Sequence, residues 1–355
     1  MKIRTIVGAA AGMALVFPLA GCVVEAADPS GVEASAGITV ACGNIEELCE
    51  SVLTEFTEST GIPANYVRMS GGEALARLES TKGAASAEFD VWWGGPVESF
   101  VAATEADLLA SYLSPERDNI QESLRDADGY WTGYVLNPNG ICYSVSAFDE
   151  LGLDAPTSWD TFLDPALSKN VATSHPATSG TGFGFITTIL ALNDNDEDAM
   201  FDWMLDMHPN VLQYTQSGSA PVQMLVRGEV AAVPAFASVC EREHVVNGND
   251  DIAFAYPEEG VGFEVGGTAV VAGASNPAGA EAFTDWALGQ EAFDAYVNTG
   301  YNVFPAFVGE GANNGLGQTV DDIPWLASFD PTASEYDRGE LAERFDTDVA
   351  PTPVD

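Results

Sequence analysis

Thr178-Ser179-Gly180-Thr181 places three hydroxyls and a glycine between an expected strand, Val171 to Ser174, and an apolar helix. Hydroxyls beside the free N–H groups of a helix start can hold a phosphate, a phosphonate or a carboxylate. Ser217-Gly218-Ser219 repeats the arrangement after the next expected strand, Val211 to Tyr214. The same residue types also cap helices with no ligand involved. Other chemistries find less support. No Walker loop is present, no G-x-G-x-x-G follows the first strand, and no G-x-S-x-G is found. Ser179 and Ser217 have no histidine at a convincing partner position, and His175, before a proline, reads as a loop residue. His175 and His208 stand apart from the cysteines and no C-x-x-C occurs, so neither a metal nor a cofactor is expected. Among the acids, Glu259 stands out because it opens a glycine-rich approach, Gly260-Val261-Gly262, to a long apolar strand.

The elements that must position these loops follow a repeating rhythm. A strand at Ile38-Thr39-Val40-Ala41 leads to Cys42-Gly43-Asn44, where Asn44 can cap a helix carrying Ile45, Leu48, Val52, Leu53 and Phe56 at helical spacing until Gly61. A strand from Ala64 to Met69 leads to Ser70-Gly71-Gly72 and a helix from Glu73 to Ser80. A third strand, Phe89 to Trp93, ends at Gly94-Gly95-Pro96. Strand, small-residue turn and helix in alternation predict a parallel α/β sheet, with a ligand crevice at the carboxyl ends of its strands. Tyr130 to Ser144 reads as two strands joined by a turn at Asn137-Pro138-Asn139-Gly140, the first crossing between two domains. A second α/β series follows, with a strand from Ala231 to Phe236 expected to return toward the first domain. The long strand Gly262 to Ala272 and helices near Ala278–Leu288 and Glu291–Tyr296 come after it. The tail holds one acidic helix, Ser334 to Phe345, and a loose end.

Charge and cysteines narrow the setting. Twelve Lys and Arg against 54 Asp and Glu give a net charge of −42, a surface that repels nucleic acid and anionic lipid. Lys2 and Arg4, a short apolar run, and Leu19-Ala20-Gly21-Cys22 have the form of a secretory signal. A cysteine at that junction resembles the bacterial lipobox, in which the thiol is acylated and the signal removed. The expected layout is a signal peptide over residues 1–21, then a flexible tether over 22–37. Four cysteines remain for disulfides in an oxidising compartment, with Cys42–Cys49 the favoured pair and Cys142–Cys240 the remainder.

An ordered series of segments resembles a known family. Ser70-Gly71-Gly72-Glu73-Ala74-Leu75-Ala76-Arg77-Leu78, Asp90-Val91-Trp92-Trp93-Gly94-Gly95-Pro96, Pro176-Ala177-Thr178-Ser179-Gly180-Thr181, Gln213 to Val222, Arg227-Gly228-Glu229 and Glu259 to Glu264 are similar, in this order, to the extracellular solute-binding proteins of ABC importers. The likeness runs from about Ile38 to Pro305, within the group that takes up ferric iron, phosphonates and hexose phosphates. It implies a two-lobed, type II periplasmic-binding-protein-like α/β fold with a hinge of crossing strands and solute held in the interlobe cleft. The expected first lobe joins residues 38–136 with about 239–330, the second covers 137–238, and 331–355 form an acidic tail. Ferric-binding relatives carry a tyrosine pair after the strand that here reads Val233 to Val239, and this chain has none. Hexose-phosphate relatives carry His-Asp where Ser238-Val239 fall.

The resemblance implies a binding protein rather than an enzyme, lipid-anchored at Cys22 on the outer face of the cytoplasmic membrane. Its partners would be a small solute, an ABC permease and its ATPase; it is expected to be a monomer. The expected solute is a phosphorylated or phosphonate anion; ferric iron or a small cation such as a polyamine or thiamine is the alternative, and an extracellular hydrolase a more distant one. The expected ligand contacts are Cys42, Gly43, Asn44, Ser70, Gly71, Gly72, Gly94 and Gly95 on one lobe. On the other they are Thr178, Ser179, Gly180, Thr181, Ser217, Gly218, Ser219, Ser238 and Glu259.

Overall fold

A computed structural model describes residues 37–308, 312–332 and 338–350. The signal peptide, Cys22 and the tether, apart from Gly37, lie outside the described residues. In chain order the elements are β1 (Ile38–Cys42), α1 (Glu46–Thr60), β2 (Ala64–Arg68), α2 (Gly71–Thr81), β3 (Val91–Pro96), α3 (Val97–Glu105), β4 (Leu109–Ala110) and β5 (Thr132–Ser144). Then come α4 (Val145–Leu151), β6 (Val171–Ser174), α5 (Gly180–Leu192), α6 (Glu197–Met207), β7 (Val211–Thr215), α7 (Ala220–Val226), β8 (Ala232–Phe236), α8 (Ala237–Val245) and β9 (Ile252–Ala255). The last are β10 (Phe263–Val271), α9 (Pro277–Ala287), α10 (Gln290–Val297), β11 (Phe304–Pro305) and α11 (Arg338–Asp348). Among the described residues, no helix is long and apolar enough to cross a membrane.

The strands follow one path, β2-β1-β3-β10-β5-β8-β6-β7. Its two ends are parallel: β1 pairs with β2 and β3, and β6 with β7 and β8. Antiparallel β10 and β5 join those ends. We refer to the β1–β3 side as the first half and the β6–β8 side as the second. Each half buries helices on its sheet by helical spacing. α1 packs Leu48, Cys49, Val52, Leu53 and Phe56 inward and stops at Gly61, whose φ of 72° suits glycine. α5 is apolar nearly all round and is correspondingly buried along most of its length.

The expected turn at Asn137-Pro138-Asn139-Gly140 is absent, because both sides of that segment find sheet partners. β5 is one 13-residue strand. Its Thr132–Pro138 portion lies against β10 and its Asn139–Tyr143 portion against β8. At the changeover, Asn139 N–H donates to the Gly262 carbonyl, and its side chain reaches Gly184 O and Thr188 Oγ1 of α5. Pro138, which has no N–H, stands where the partner changes.

Three further expectations need correction. The chain returns to the first half through β10 rather than β8, because β9, absent from the sequence reading, pairs with the Ile141–Ser144 end of β5 in the second half. Asn44 does not cap α1; the cap position is Ile45 and has no side-chain bond. The acidic tail helix runs on to Asp348 rather than ending at Phe345, and as α11 it buries Leu341, Ala342 and Phe345; the end expected to be loose, beyond residue 350, lies outside the described residues. Both expected disulfides are present, Cys42–Cys49 and Cys142–Cys240.

Candidate functional site: a cleft at the carboxyl ends of the strands

The turns after β1, β2 and β3 and those after β6, β7 and β8 converge on one cleft of about 890 Å³. Parallel strands deliver their following loops to the same edge, which is why six separate turns meet there. From the first half come Gly43, Asn44, Arg68, Ser70, Gly71, Gly72, Glu73 and Gly95. From the second come Thr178, Ser179, Gly180, Thr181, Ser217, Gly218, Ser219 and Ser238. Most of the expected ligand contacts are therefore brought together.

Three are not. Cys42 is buried in its disulfide, one residue before the cleft wall. Gly94 also lies behind the wall, with φ of 91° and its carbonyl accepting from Trp92 Nε1. Glu259 points elsewhere and hydrogen-bonds Ser158 Oγ. Besides Glu73, the acid that lines the cleft is Glu264, inside the following strand.

Two glycines are needed for the walls to come close. A Cβ on Gly43 would meet the Gly94 backbone at 2.5 Å, and one on Gly218 would meet Thr181 Oγ1 at 2.2 Å and Ser179 Oγ at 2.7 Å. Gly218 thus lets the two hydroxyl loops of the second half touch.

The polar groups divide by occupation. Ser70 caps α2 in a reciprocal capping box: its hydroxyl accepts from Glu73 N–H at 3.3 Å, and the Glu73 carboxylate takes Ser70 N–H at 2.8 Å. The Ser70 N–H and, at 3.0 Å, its hydroxyl both donate to the Glu73 carboxylate and hold that carboxyl below its ordinary range. Ser179 caps α5 by accepting from Gly182 N–H at 3.3 Å. Ser238, fully buried in the first turn of α8, has no partner for its hydroxyl. His175 does not address either serine; Nε2 bonds Asp346 at 2.7 Å and Nδ1 accepts from Ala177 N–H.

Sequence reasoning missed the basic, carboxyl and aromatic side of the cleft: Arg68, Arg338, Glu264, Tyr296 and Tyr301. Arg68 was detectable, as one of twelve basic residues in a strongly acidic chain and at the carboxyl end of a strand. Arg338 was not, because nothing local shows that the tail returns to the site. Asn44 Nδ2 donates to Tyr134 OH at 3.2 Å and Asn44 Oδ1 accepts from Tyr296 OH at 3.4 Å. Burial pushes the Tyr296 phenol well above its ordinary range, with Tyr134, Tyr301 and Glu264 adding to the rise, so it stays a neutral donor. Burial also lifts the Glu264 carboxyl to about 8 and that of Glu98, next to it, to about 7. Among the described residues, no group of three or more His, Cys, Asp or Glu is placed to hold a metal ion.

A two-ended α/β sheet with a cleft between its halves defines a solute-binding fold. The family of bacterial extracellular solute-binding proteins matches residues 51–313, and this chain belongs to it. An uncharacterised protein of Haemophilus influenzae is 30% identical over 259 residues, 72% of this chain and 73% of the relative. The periplasmic binding protein AfuA of Actinobacillus pleuropneumoniae, solved with fructose-6-phosphate bound, superposes with a TM-score of 0.78 at 24% identity, covering 88% of this chain and 98% of that one. Iron-bound HitA of Pseudomonas aeruginosa gives 0.71 at 20% identity, covering 87% and 98%. These likenesses confirm the type II periplasmic-binding-protein fold. The protein is the solute-binding component of an ABC importer, in a family of extracellular binding proteins.

Proposed function

We propose that the cleft captures a small phosphorylated or phosphonate solute and delivers it to the permease, with the first and second halves acting as the two lobes that close on it. The observation that carries this reading is the fully buried Ser238 hydroxyl, without a partner in the cleft wall at the start of α8. Around it stand the hydroxyls of Thr178, Ser179, Thr181, Ser217 and Ser219, the starts of α2 and α5, and the guanidinium groups of Arg68 and Arg338. Buried donors left open are costly unless a ligand completes them, and helix starts favour anions. A cavity of about 890 Å³ exceeds what inorganic phosphate would fill and suits a phosphorylated organic molecule. Neutral Tyr296 and its neighbours fit hydroxyl groups better than ferric phenolate chemistry. The long-range field of the acidic surface opposes an anion, but at about 0.15 M salt it is screened beyond roughly 8 Å.

Calorimetry against sugar phosphates, phosphonates, carboxylates, polyamines, thiamine and ferric salts tests the reading. Binding of a phosphorylated or phosphonate solute that weakens in Ser238→Ala is expected; tight binding of a cation with no response to any anion would overturn it. Turnover of a bound solute, lost in Ser179→Ala, would instead favour a hydrolase. We further propose that Cys22 carries lipid and tethers a monomer to the membrane. Cells expressing Cys22→Ser should release a folded, solute-binding protein into the medium; retention at the membrane would count against the anchor.

A further inference from the structure

One helical turn beyond the open Ser238 hydroxyl stands an arginine. Ser238 and Arg242 are four residues apart in α8 and therefore share one face of it. Cys240, between them, ties the helix to Cys142 of β5, and α8 packs on β8 and β9 in the second half. The Arg242 side chain leaves that half. Its Nη2 donates to the Glu47 carboxylate at 2.5 Å, an ion pair with α1. Glu47 lies in the first turn of α1, two residues after Ile45 of the cleft wall. The guanidinium carbon also stands 5.5 Å from the centroid of the Tyr301 ring, within cation–π reach.

Both partners belong to the first half. α1 directly follows β1, and Tyr301, itself a cleft residue, follows α10, which packs on α1. The Tyr301 ring meets Tyr296 edge-on with centroids 6.4 Å apart, and Tyr296 bonds Asn44. Arg242 thus grips the margin of the first wall from the second half. Other arginines pair locally: Arg77 with Glu88 within the first half, and Arg344 of α11 with Glu197 and Asp198 of α6.

We propose that Arg242 is a positioning residue for solute capture: fixed to the second half by α8, it clasps Glu47 and Tyr301 of the first half and favours the closed arrangement of the cleft. A contact made in one arrangement and lost in the other biases the equilibrium by its own interaction energy. A chain of net charge −42 repels itself as it closes, and a cation set between the halves offsets part of that repulsion. Because Ser238 and Arg242 share a face of α8, a solute that draws Ser238 toward the first half brings Arg242 to its partners in the same movement. The proposal rests on the cleft closing, which is part of the reading above, but not on the chemistry of the solute.

The test is the distance between spin labels on ketone-bearing residues introduced at the exposed positions Glu58 of α1 and Asp206 of α6, which leaves both disulfides intact. The labelled protein without solute is expected to populate a closed and an open distance. Glu47→Gln, a change at an exposed side chain, should lower the closed-to-open ratio roughly threefold, the scale of a partly exposed ion pair. Arg242→Ala, which also loses the ring contact, should lower it roughly tenfold. Adding Glu47→Gln to Arg242→Ala should change nothing further. Glu47→Arg should recover the closed population that Arg242→Glu loses alone. Raising the salt from about 0.1 M to about 1 M shortens the screening length from ~10 to ~3 Å and should narrow the gap between the unaltered protein and Glu47→Gln. Two populations indifferent to Glu47→Gln, or a reversed pair no better than Arg242→Glu alone, would overturn the clasp while leaving closure intact. A single distance that no variant shifts would overturn it as well. Whether the cleft closes at all is then read from the same labels on adding the sugar phosphates and phosphonates of the calorimetric panel.

Discussion

The two walls of the cleft reach the same place in the fold by different chemistry. The first-half wall is already partnered: Ser70 with Glu73, Asn44 with Tyr134 and Tyr296, Arg68 with the Asn44 carbonyl, and Gly43 packed on Gly94. The second-half wall is hydroxyl-rich, leaves Ser238 without a partner, and takes its cation from the tail. Internal pairing makes the first wall a fixed template, whereas the unmet hydrogen-bonding demand lies on the second. Specificity for a polar solute is therefore expected to respond more to changes in the second wall.

The largest contrast should come from the disulfides, one in each half. Cys142–Cys240 closes a separation of 98 residues and Cys42–Cys49 one of 7. In the chain-entropy account these loops correspond to about 4.7 and about 2.4 kcal/mol. Denaturant unfolding of Cys142→Ser with Cys240→Ser should thus show roughly twice the loss seen for Cys42→Ser with Cys49→Ser. Equal losses would mean that packing, not loop closure, sets the cost.

A graded effect should come from pH. In the first half burial raises Glu98 to about 7 and Glu264 to about 8, and in the second it raises Glu241 to about 7. Folded carboxyls then keep protons that unfolded ones release above their ordinary value of 4.5. Stability falls as pH rises from about 4.5 to 8, is unaffected by these groups below that window, and levels off above it. Glu98→Gln with Glu264→Gln should flatten most of this slope and Glu241→Gln a smaller part. A slope unchanged in both variants would place its source elsewhere.

The smallest effect should come from the helix caps. Ser70→Ala and Ser179→Ala should each cost about 1 kcal/mol of stability. Only Ser179→Ala is expected also to weaken solute binding, because Ser70 is held by Glu73. Calorimetry on both variants separates the roles, and equal losses of affinity would make the walls alike.

Much of this architecture was legible in the residues because local patterns carry it. Val171–Ser174, the helices after Ser70 and Ser179, and the six turns of the cleft follow from hydrophobic spacing and cap chemistry. Local patterns fail where a distant partner decides. Asn137 to Gly140 carry turn-forming residues, yet β10 and β8 keep them extended. Glu259 and Glu264 flank one glycine-rich approach, and only the register of β10 shows which reaches the cleft. Arg338 depends on a tail that packs far from its sequence neighbours.

The Cys142–Cys240 bond has a further consequence for a protein that works outside the cell. It encloses α4, β6, α5, α6, β7, α7 and β8 in one covalent ring. A protease that cuts once in the exposed turn at Asp194-Asn195 opens that ring without releasing either piece. The nicked receptor stays a single molecule until it meets a reductant.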